Sequence, residues 1–256
     1  SRGNLDSPTA LSTWSYADML PLFQHSIVTV FNVPHTVYKI DEAWLRHRAH
    51  IFEHVCYPSI ARQSCQNFKW LVFFGHDTPE WLKERIVQRF PRITAIYTDS
   101  VAPTIVRDFV LEHSEQADYI ITSRCDNDDA IAFNYIKSIQ RQFRGQEREF
   151  INLNNGVQFY SGCAYKYSHP SSPFVSLIER REGCVTVTCR PHPRVAEVAP
   201  VRRIRNFFPA WLQLVHNRNA INSADTNDPY RWPVLSLFRL STSRLRRVLA
   251  EADENV

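Results

Sequence analysis

The chain has 256 residues, of which 44% are hydrophobic and 22% are charged, and its formal net charge at pH 7 is +4. These proportions are ordinary for a globular protein and leave ample apolar material for a core. The net charge is too small to indicate nucleic-acid binding, but it suits an anionic substrate. No apolar run approaches the roughly 18 residues that a membrane-spanning helix needs.

The cysteines lack the CxxC spacing of zinc sites and redox motifs, and a chain of this length does not need disulfides for stability. We expect them to be reduced and mostly buried, and the protein to be cytoplasmic. No signal peptide is recognisable. Residue 1 is not methionine, so the sequence can be a piece of a longer protein. The six cysteines are Cys56, Cys65, Cys125, Cys163, Cys184 and Cys189.

The first half of the chain alternates apolar runs with helical patterns, after a segment, 1–25, that has no clear pattern. Thr78 is the predicted N-cap of the second helix, with Pro79 at its first position. Strands that alternate with helices predict right-handed βαβ units and a largely parallel sheet. The predicted strands are 26–31, 70–74, 93–97 and 119–125, and the predicted helices are 41–61, a helix from 78 onward, and 104–113.

The second half predicts a mixed, partly antiparallel extension of this sheet. Asn154-Asn155-Gly156 between two apolar runs is typical of a β-hairpin. The tail, 235–252, predicts a basic amphipathic helix. The fold class is therefore α/β, with a mostly parallel sheet flanked by helices. The predicted elements are a helix at 136–143 and strands at 150–153, 157–160, 185–188 and 211–215.

Asp126, Asn127, Asp128 and Asp129 directly follow the fourth predicted strand, and Ala130 is predicted to begin a helix. Ligands of open α/β sheets bind at the carboxyl ends of the strands. Three carboxylates repel one another unless a cation lies among them, and hard oxygen ligands suit Mg²⁺ or Mn²⁺. A helix cap needs one aspartate, and Asp129 is the one we expect to be only a cap.

The scarcity of glycine supports a metal or substrate role for these aspartates. The chain has six glycines and contains neither GxGxxG nor GxxxxGK[ST]. Proteins with such loops hold phosphate groups with backbone amides. A phosphorylated ligand of this chain would depend on a metal ion and on arginine or lysine instead.

The stretch from Thr122 to Ala130 resembles the signature of the rhamnosyltransferase family, a branch of the GT-A glycosyltransferases. Several other blocks resemble that family in the same order, so that the resemblance spans roughly 26–222. They are Trp44-Leu45-x-His47-Arg48 with Phe52, Pro58-Ser59 and Gln63-Ser64; Phe68-x-Trp70-Leu71-Val72-Phe73-Phe74 with Thr78-Pro79-x-Trp81-Leu82; Pro173-Phe174-x-Ser176-Leu177-x-Glu179; and Trp211-Leu212-x-x-Val215-His216-x-x-Asn219.

This resemblance implies a GT-A-like (Rossmann-like) domain over 26–222, between the segment 1–25 and a tail, 223–256. It implies a nucleoside-diphosphate sugar as donor, a glycan or lipid-linked glycan as acceptor in polysaccharide biosynthesis, and Mn²⁺ or Mg²⁺ at the D-x-D motif. Asp126 would face the nucleotide ribose or the metal, and Asp128 would bind the metal. The rhamnosyl label does not fix the sugar. Cys125 departs from the family, where we expect an aliphatic residue.

Two later residues gain candidate roles from the same resemblance. His216 would reach back to the metal or to the diphosphate, and its alternative is a solvent-facing histidine at a strand end. Glu179, which we expect on a short helix after Pro173, would take the proton from the acceptor hydroxyl in an inverting reaction. Its alternative is an exposed helical glutamate, and Glu182 is the second candidate.

Three further residues are candidates for donor binding. Arg124 lies beside the aspartates and Arg107 on the third predicted helix, and either could pair with a phosphate. Arg124 could instead hold Asp126 or Asp128 in place. Asp77, after the second strand, could bind the base or ribose, or could be a turn residue.

Two features of the chain have more ordinary interpretations. His47, His50 and His54 lie opposite the apolar stripe of the first helix, so we expect them to face solvent rather than to bind zinc. The basic tail helix could lie on an anionic membrane surface, cover the sheet, or simply be solvated.

The sequence thus predicts a metal-dependent glycosyltransferase that moves a sugar from a nucleoside-diphosphate donor to a glycan hydroxyl. Two alternatives stay open. One is a carbohydrate- or nucleotide-binding protein of the same fold without catalysis. The other is a metal-dependent nucleotidyl or phosphoryl transferase, which would release pyrophosphate or phosphate.

Overall fold

The structure is a computed structural model that describes residues 22–34, 40–114, 117–216, 218 and 223–254. Most of the predicted segment 1–25 and Asn219 of the last family-like block lie outside these ranges. The strands are β1 (Phe23–Val30), β2 (Lys69–Phe74), β3 (Thr94–Tyr97), β4 (Tyr119–Arg124), β5 (Ala130–Ile131), β6 (Arg148–Leu153), β7 (Asn155–Tyr160), β8 (Cys163–Ser168), β9 (Ser176–Arg180), β10 (Val201–Ile204) and β11 (Trp211–Leu214).

Helices connect most of these strands and confirm the predicted alternation in the first half of the chain. Two short 3-10 helices, His192–Glu197 and Val234–Phe238, lie in the second half. The α-helices are α1 (Glu42–Ile51), α2 (Tyr57–Ala61), α3 (Glu80–Arg89), α4 (Pro103–Glu112), α5 (Tyr135–Gln140) and α6 (Thr242–Glu254).

The main sheet has seven strands in the order β10-β6-β9-β4-β1-β2-β3. β9 runs antiparallel to both of its neighbours, and the other pairs are parallel. β4, β6 and β10 therefore end at the same edge of the sheet as β1, β2 and β3. The predicted mostly parallel α/β sheet, with an antiparallel component from the second half of the chain, is confirmed.

Both faces of this sheet are buried, as the apolar runs predict. One face carries Ile27, Trp70 and Ile121 and packs against α1, α2, α3 and α5. Alternate residues, such as Val28 and Ile120, point to the other face and pack against α4. The main sheet is thus packed on both faces, and the loops at its carboxyl edge extend from this core.

The predicted helix 41–61 is continuous but contains a π-helical turn, Phe52–Cys56, between α1 and α2. Asp41 caps its start by accepting a hydrogen bond from the Trp44 N–H at 2.9 Å. At its other end, Ser59 Oγ accepts from the Ile131 N–H at 3.3 Å. This helix therefore fixes the loop that follows β4.

The predicted cap of the second helix is wrong by one residue. Pro79 is the residue before α3, and no side chain caps this helix. The Thr78 hydroxyl instead donates to the Gly75 carbonyl at 2.6 Å and accepts from the Asn32 side-chain amide at 3.0 Å. Thr78 thereby ties the end of β2 to the end of β1.

The predicted hairpin at Asn154-Asn155-Gly156 is also wrong. β6 belongs to the main sheet, whereas β7 belongs to a second, four-stranded sheet in the order β5-β11-β7-β8. A Cβ atom on Gly156 would lie 2.2 Å from the indole ring of Trp211. The glycine is therefore needed for the close approach of Trp211 and not for a tight turn.

Three other predicted elements differ from the structure. Ala130 begins the short strand β5 rather than a helix, and α5 begins only at Tyr135. The segment 185–188 forms no strand, because Thr186 has a φ of 66°, in the left-handed region. The tail helix begins at Thr242 instead of 235. Its apolar side, Leu245, Val248 and Ala252, is buried. The tail helix therefore packs against α1 and the second sheet.

All six cysteines are free, and Cys163 is exposed. Cys125 is buried, so it occupies a core position of the kind that an aliphatic residue would fill. In the described part of the chain, no helix is long and apolar enough to span a membrane.

Candidate functional site

The aspartates lie just after the end of β4, at the carboxyl edge of the main sheet, as predicted. Its last residue, Arg124, lies 3.4 Å from Asp126 through its Nε and Nη2 atoms. The Asp126 side chain is 47% exposed, whereas that of Asp128 is 5% exposed. The two carboxylates of the D-x-D motif therefore have different surroundings, and only Asp126 is open to a ligand from solvent.

Asp128 is held between two basic side chains. Its Oδ2 atom pairs with Arg48 and lies 3.1 Å from His216 Nε2. Burial would raise the pKa of Asp128, but the Arg48 charge and the His216 hydrogen bond outweigh it and lower the pKa to about 2. The predicted proximity of His216 to the D-x-D motif is confirmed, and His216 is not the solvent-facing histidine of the alternative interpretation.

Arg48 is the main residue of this site to which the sequence assigned no role. Its guanidinium donates to Asn127 Oδ1 at 3.2 Å and to the Arg218 carbonyl at 3.1 Å, and it lies 5.0 Å from the Trp44 ring centroid. Its one sequence signal is its position in the family-like block that begins at Trp44. Arg48 places a fixed positive charge beside Asp128.

Asn127 and Asp129 support the loop rather than face solvent. The Asn127 amide donates to the carbonyls of Val30 and Phe31 at 3.2 and 2.9 Å. Asp129 Oδ1 accepts from the Leu214 N–H at 2.8 Å, which joins the loop to β11. The prediction that Asp129 caps a helix is wrong. Burial, together with the neighbouring Asp128 charge, raises the pKa of Asp129 well above its ordinary value.

The prediction that the three histidines of the first helix face solvent is wrong, because α6 packs over that side of α1. His47 is 1% exposed, its Nε2 atom lies 3.3 Å from Asp253, and its ring centroid is 5.1 Å from that of His216. Burial lowers the pKa of His47 to about 3, and the nearby His216 and Arg48 charges act in the same direction. His50 lies 3.4 Å from Glu251 of α6.

Asp77 lies on the exposed turn after β2, at the same sheet edge as the aspartates. Gly75, where an added Cβ atom would lie 2.5 Å from Asp77 Oδ1, lets that carboxylate fold back over the turn. The position of Asp77 is compatible with its predicted donor-binding role.

Glu179 and Arg107 are not brought to the aspartates. Glu179 lies on β9 and not on a helix, and it pairs in register with Ile120, four residues before Arg124. Its buried carboxylate accepts from Arg148 at 2.9 Å and from the Thr186 N–H at 2.8 Å. Arg107, on α4, pairs with the neighbouring Asp108 at 2.7 Å.

The predicted cation site at Asp126, Asp128 and His216 is only partly matched. Within the described ranges, no three His, Cys, Asp or Glu side chains are arranged to hold a metal ion. A cation on Asp128 would lie beside the Arg48 guanidinium. Mg²⁺, however, often takes one or two carboxylates together with substrate phosphates. The residues fit a cation that the exposed Asp126 shares with a phosphorylated ligand, and they do not fit a site formed by the protein alone.

Comparison with solved structures gives distant likenesses. S. aureus TarS 1–349 in complex with UDP is 13% identical, with 90% of this chain and 70% of that chain covered and a TM-score of 0.42. HddC from Yersinia pseudotuberculosis complexed with GMP-PN is 9% identical, with 61% and 77% covered and a TM-score of 0.37. The 4-diphosphocytidyl-2C-methyl-D-erythritol synthase from Anaerococcus prevotii DSM 20548 is 10% identical, with 91% and 100% covered and a TM-score of 0.37. At these values the likenesses carry no argument about function.

Comparison with curated proteins gives no match. The sequence model of a family described as "Putative rhamnosyl transferase", in contrast, matches residues 34–227. This range is well over half of the chain and includes Arg48, the aspartates and His216. The chain therefore belongs to the rhamnosyl transferase family, and the protein is a glycosyltransferase.

Proposed function

We propose that this glycosyltransferase moves a hexose, with rhamnose as the first candidate, from a nucleoside-diphosphate sugar to a glycan hydroxyl in one inverting displacement. The acceptor hydroxyl attacks the anomeric carbon and loses its proton to solvent water, the bond from that carbon to the diphosphate oxygen breaks, and the nucleoside diphosphate leaves. The observation that carries the proposal is the D-x-D loop at the carboxyl end of β4, where Asp128 is fixed and Asp126 is open.

The fixed part of the loop supports donor binding by keeping its geometry constant. Asp128 cannot rotate freely because Arg48 and His216 both bind its Oδ2 atom. Asn127 and Asp129 attach the same loop to β1 and β11. The open carboxylate of Asp126 therefore projects from a rigid support, which is what positioning of a charged ligand requires.

We assign the leaving diphosphate to the space around Asp126 and Arg124. A Mn²⁺ or Mg²⁺ ion shared by Asp126 and the diphosphate would supply Lewis-acid stabilisation of the leaving group. Arg124 lies close enough to hold Asp126 in place, and its guanidinium can also pair with a phosphate. Asp77, on the adjacent exposed turn, is the candidate for the ribose or base. Glu179 receives no role in the reaction, because it lies away from this loop.

The proposal is tested by thermal unfolding with UDP, GDP, CDP, ADP and dTDP, each with and without Mn²⁺. One nucleotide with Mn²⁺ should stabilise the protein, by roughly 2.7 kcal/mol at a concentration of 100 times its Kd. Asp126→Asn should abolish the Mn²⁺-dependent part of that shift. Asp118→Asn, at an exposed aspartate directly before β4, is the matched control and should behave as the wild type.

Turnover of the matching nucleotide sugars then separates the enzyme from the alternatives. A glycosyltransferase releases a nucleoside diphosphate, slowly to water and faster to an acceptor. Pyrophosphate release would instead indicate a nucleotidyl transferase, and binding without any release would indicate a non-catalytic binding protein. If no nucleotide shifts the unfolding temperature with or without Mn²⁺, the proposed donor class is wrong.

A further inference from the structure

A second concave site lies outside the aspartate loop. It is a cavity of about 500 Å³ lined by β7, β8 and the segments around 207–209 and 228–232. This volume is within the range of small-molecule sites, roughly 300–1,000 Å³.

Aromatic rings form an exposed wall of this cavity. Phe207 is 91% exposed and Phe208 57% exposed, and Trp232 is 42% exposed. The rings are arranged edge to face, with 4.9 Å between the centroids of Phe207 and Phe208 and 5.6 Å between those of Tyr230 and Trp232. Hydrophobic and aromatic side chains with a few polar groups among them are the usual lining of a ligand pocket.

The charged part of the lining is an ion pair between Lys166 and Asp228, with the Lys166 Nζ atom 2.9 and 3.0 Å from the two carboxylate oxygens. A charged ligand would have to compete with this pair, and a purely apolar ligand would leave it unused. A sugar hydroxyl both donates and accepts, so it can bind to the pair without separating the charges. The C–H face of a pyranose ring can pack on an aromatic ring at the same time.

The walls of the cavity are fixed by backbone hydrogen bonds. The Lys166 N–H donates to the Asp228 carbonyl at 2.8 Å, and the Tyr230 N–H donates to the Ala164 carbonyl at 2.9 Å. Gly156 forms part of the lining above the Trp211 ring. The site is therefore built into the second sheet.

The cavity and the aspartate loop share one edge of the main sheet. The cavity begins at Asn155, just beyond the end of β6, and β6 and β4 are separated only by β9. Two strand spacings place the ends of β4 and β6 about 10 Å apart, a distance that a short oligosaccharide spans.

Two histidines in edge-to-face contact lie beside the cavity. The His169 ring centroid is 6.0 Å from that of Tyr167 in the cavity and 5.6 Å from that of His192. The His169 N–H donates to the Asn154 carbonyl at 3.0 Å, which places these histidines at the carboxyl end of β6.

We propose that this cavity binds the acceptor as a neutral oligosaccharide, with a pyranose ring stacked on Phe207, Phe208 and Trp232 and its hydroxyls bound to Lys166 and Asp228. The inference rests on the proposed function, since it gives that reaction its acceptor subsite. The chain of the acceptor would run along His169 and His192 and present its reacting hydroxyl near Asp126.

The test is binding of the full chain to a printed array of defined neutral oligosaccharides, followed by calorimetric titration of the strongest ligand. The double variant Phe207→Ala with Trp232→Ala should weaken binding at least about tenfold, through loss of ring contacts. Asp228→Asn should weaken it as well. Phe133→Ala, an aromatic residue 40% exposed elsewhere on the surface, is the matched control and should leave binding unchanged.

The nucleotide-dependent thermal shift of the same variants separates this inference from the proposed function. Normal nucleotide stabilisation with lost oligosaccharide binding supports an acceptor site. Absence of oligosaccharide binding by the wild type, or unchanged binding by the double variant, overturns the inference while the donor proposal stands. A wild-type dimer that the double variant converts to a monomer, as measured by sedimentation velocity, also overturns it, because the aromatic surface would then join two copies.

Discussion

At the scale of single residues, the aspartate site depends on a positive charge that comes from a distant part of the chain. Arg48 is 79 residues away from Asn127 in sequence but binds both it and Asp128. Buried ion pairs are not in general more stable than apolar replacements, but removal of one partner leaves the other charge uncompensated. Arg48 and Asp128 should therefore act as a unit.

We expect Arg48→Met to destabilise the fold by about 3–5 kcal/mol, because it leaves Asp128 buried without its main countercharge. Urea unfolding at pH 7 measures this loss. Arg46→Met, which breaks the exposed pair with Glu42 on the same helix, should cost less than about 1 kcal/mol. The double variant Arg48→Met with Asp128→Asn should regain part of the loss. Equal stability of the Arg48 and Arg46 variants would contradict this interpretation.

At the scale of elements, β9 and the loop 184–188 form one unit around a buried carboxylate. The Val185 and Thr186 N–H groups donate to Glu179 at 3.0 and 2.8 Å. Burial raises the pKa of Glu179, and these hydrogen bonds together with Arg148 oppose the increase. The loop can keep Thr186 in its left-handed conformation because Glu179 binds both amides.

Glu179→Ala should destabilise the protein by about 3 kcal/mol, since it leaves two buried amides and Arg148 without their acceptor. Glu179→Gln retains one acceptor oxygen and should retain most of the turnover of the donor sugar. A general base would lose about 10²–10⁴-fold in rate on the same change. Steady-state kinetics of Glu179→Gln, checked for folding by circular dichroism, therefore separates a structural role from catalysis. A loss of that size in a folded variant would restore the base assignment.

At the scale of the whole molecule, the core contains polar groups whose protonation should make stability depend on pH. His25 is fully buried in β1, where its Nε2 atom lies 2.8 Å from Ser123 Oγ. Burial lowers its pKa from 6.5 to about 3. Between these two values the unfolded chain binds a proton that the folded protein does not. The contribution of His25 to the free energy of unfolding is therefore fully present above pH 6.5 and decreases as the pH falls toward 3.

We expect the wild type to lose roughly 2 kcal/mol more stability than His25→Gln when the pH is lowered from 7 to 5, because 1.5 pH units below the unfolded pKa correspond to that energy. Guanidinium unfolding at both pH values measures the difference. His76→Gln, on the exposed turn after β2, is the control and should follow the wild type. Identical pH dependence in all three proteins would show that His25 does not contribute.

The sequence by itself determined the parallel strands β1 to β4 of the main sheet and the position of the aspartate loop. Parallel strands are short, apolar on both faces and separated by helices, so local composition is enough to identify β1 to β4. The carboxyl ends of parallel strands meet at one edge of the sheet, where ligands bind, so the loop after β4 is the expected ligand-binding loop. The family-like blocks added His216, which the structure places against Asp128.

Only the tertiary structure decided which side chains complete the site. His47 becomes buried because α6, about 200 residues away, covers the side of α1 that the helical pattern assigns to solvent. Arg48 becomes buried because it packs against the aspartate loop, 79 residues away. Glu179 lies away from the aspartate loop because β9 turns it toward Arg148 and a distant loop. Asn154-Asn155-Gly156 separates two sheets because Trp211 packs on Gly156. Each of these outcomes depends on contacts between segments far apart in sequence, which local periodicity does not record.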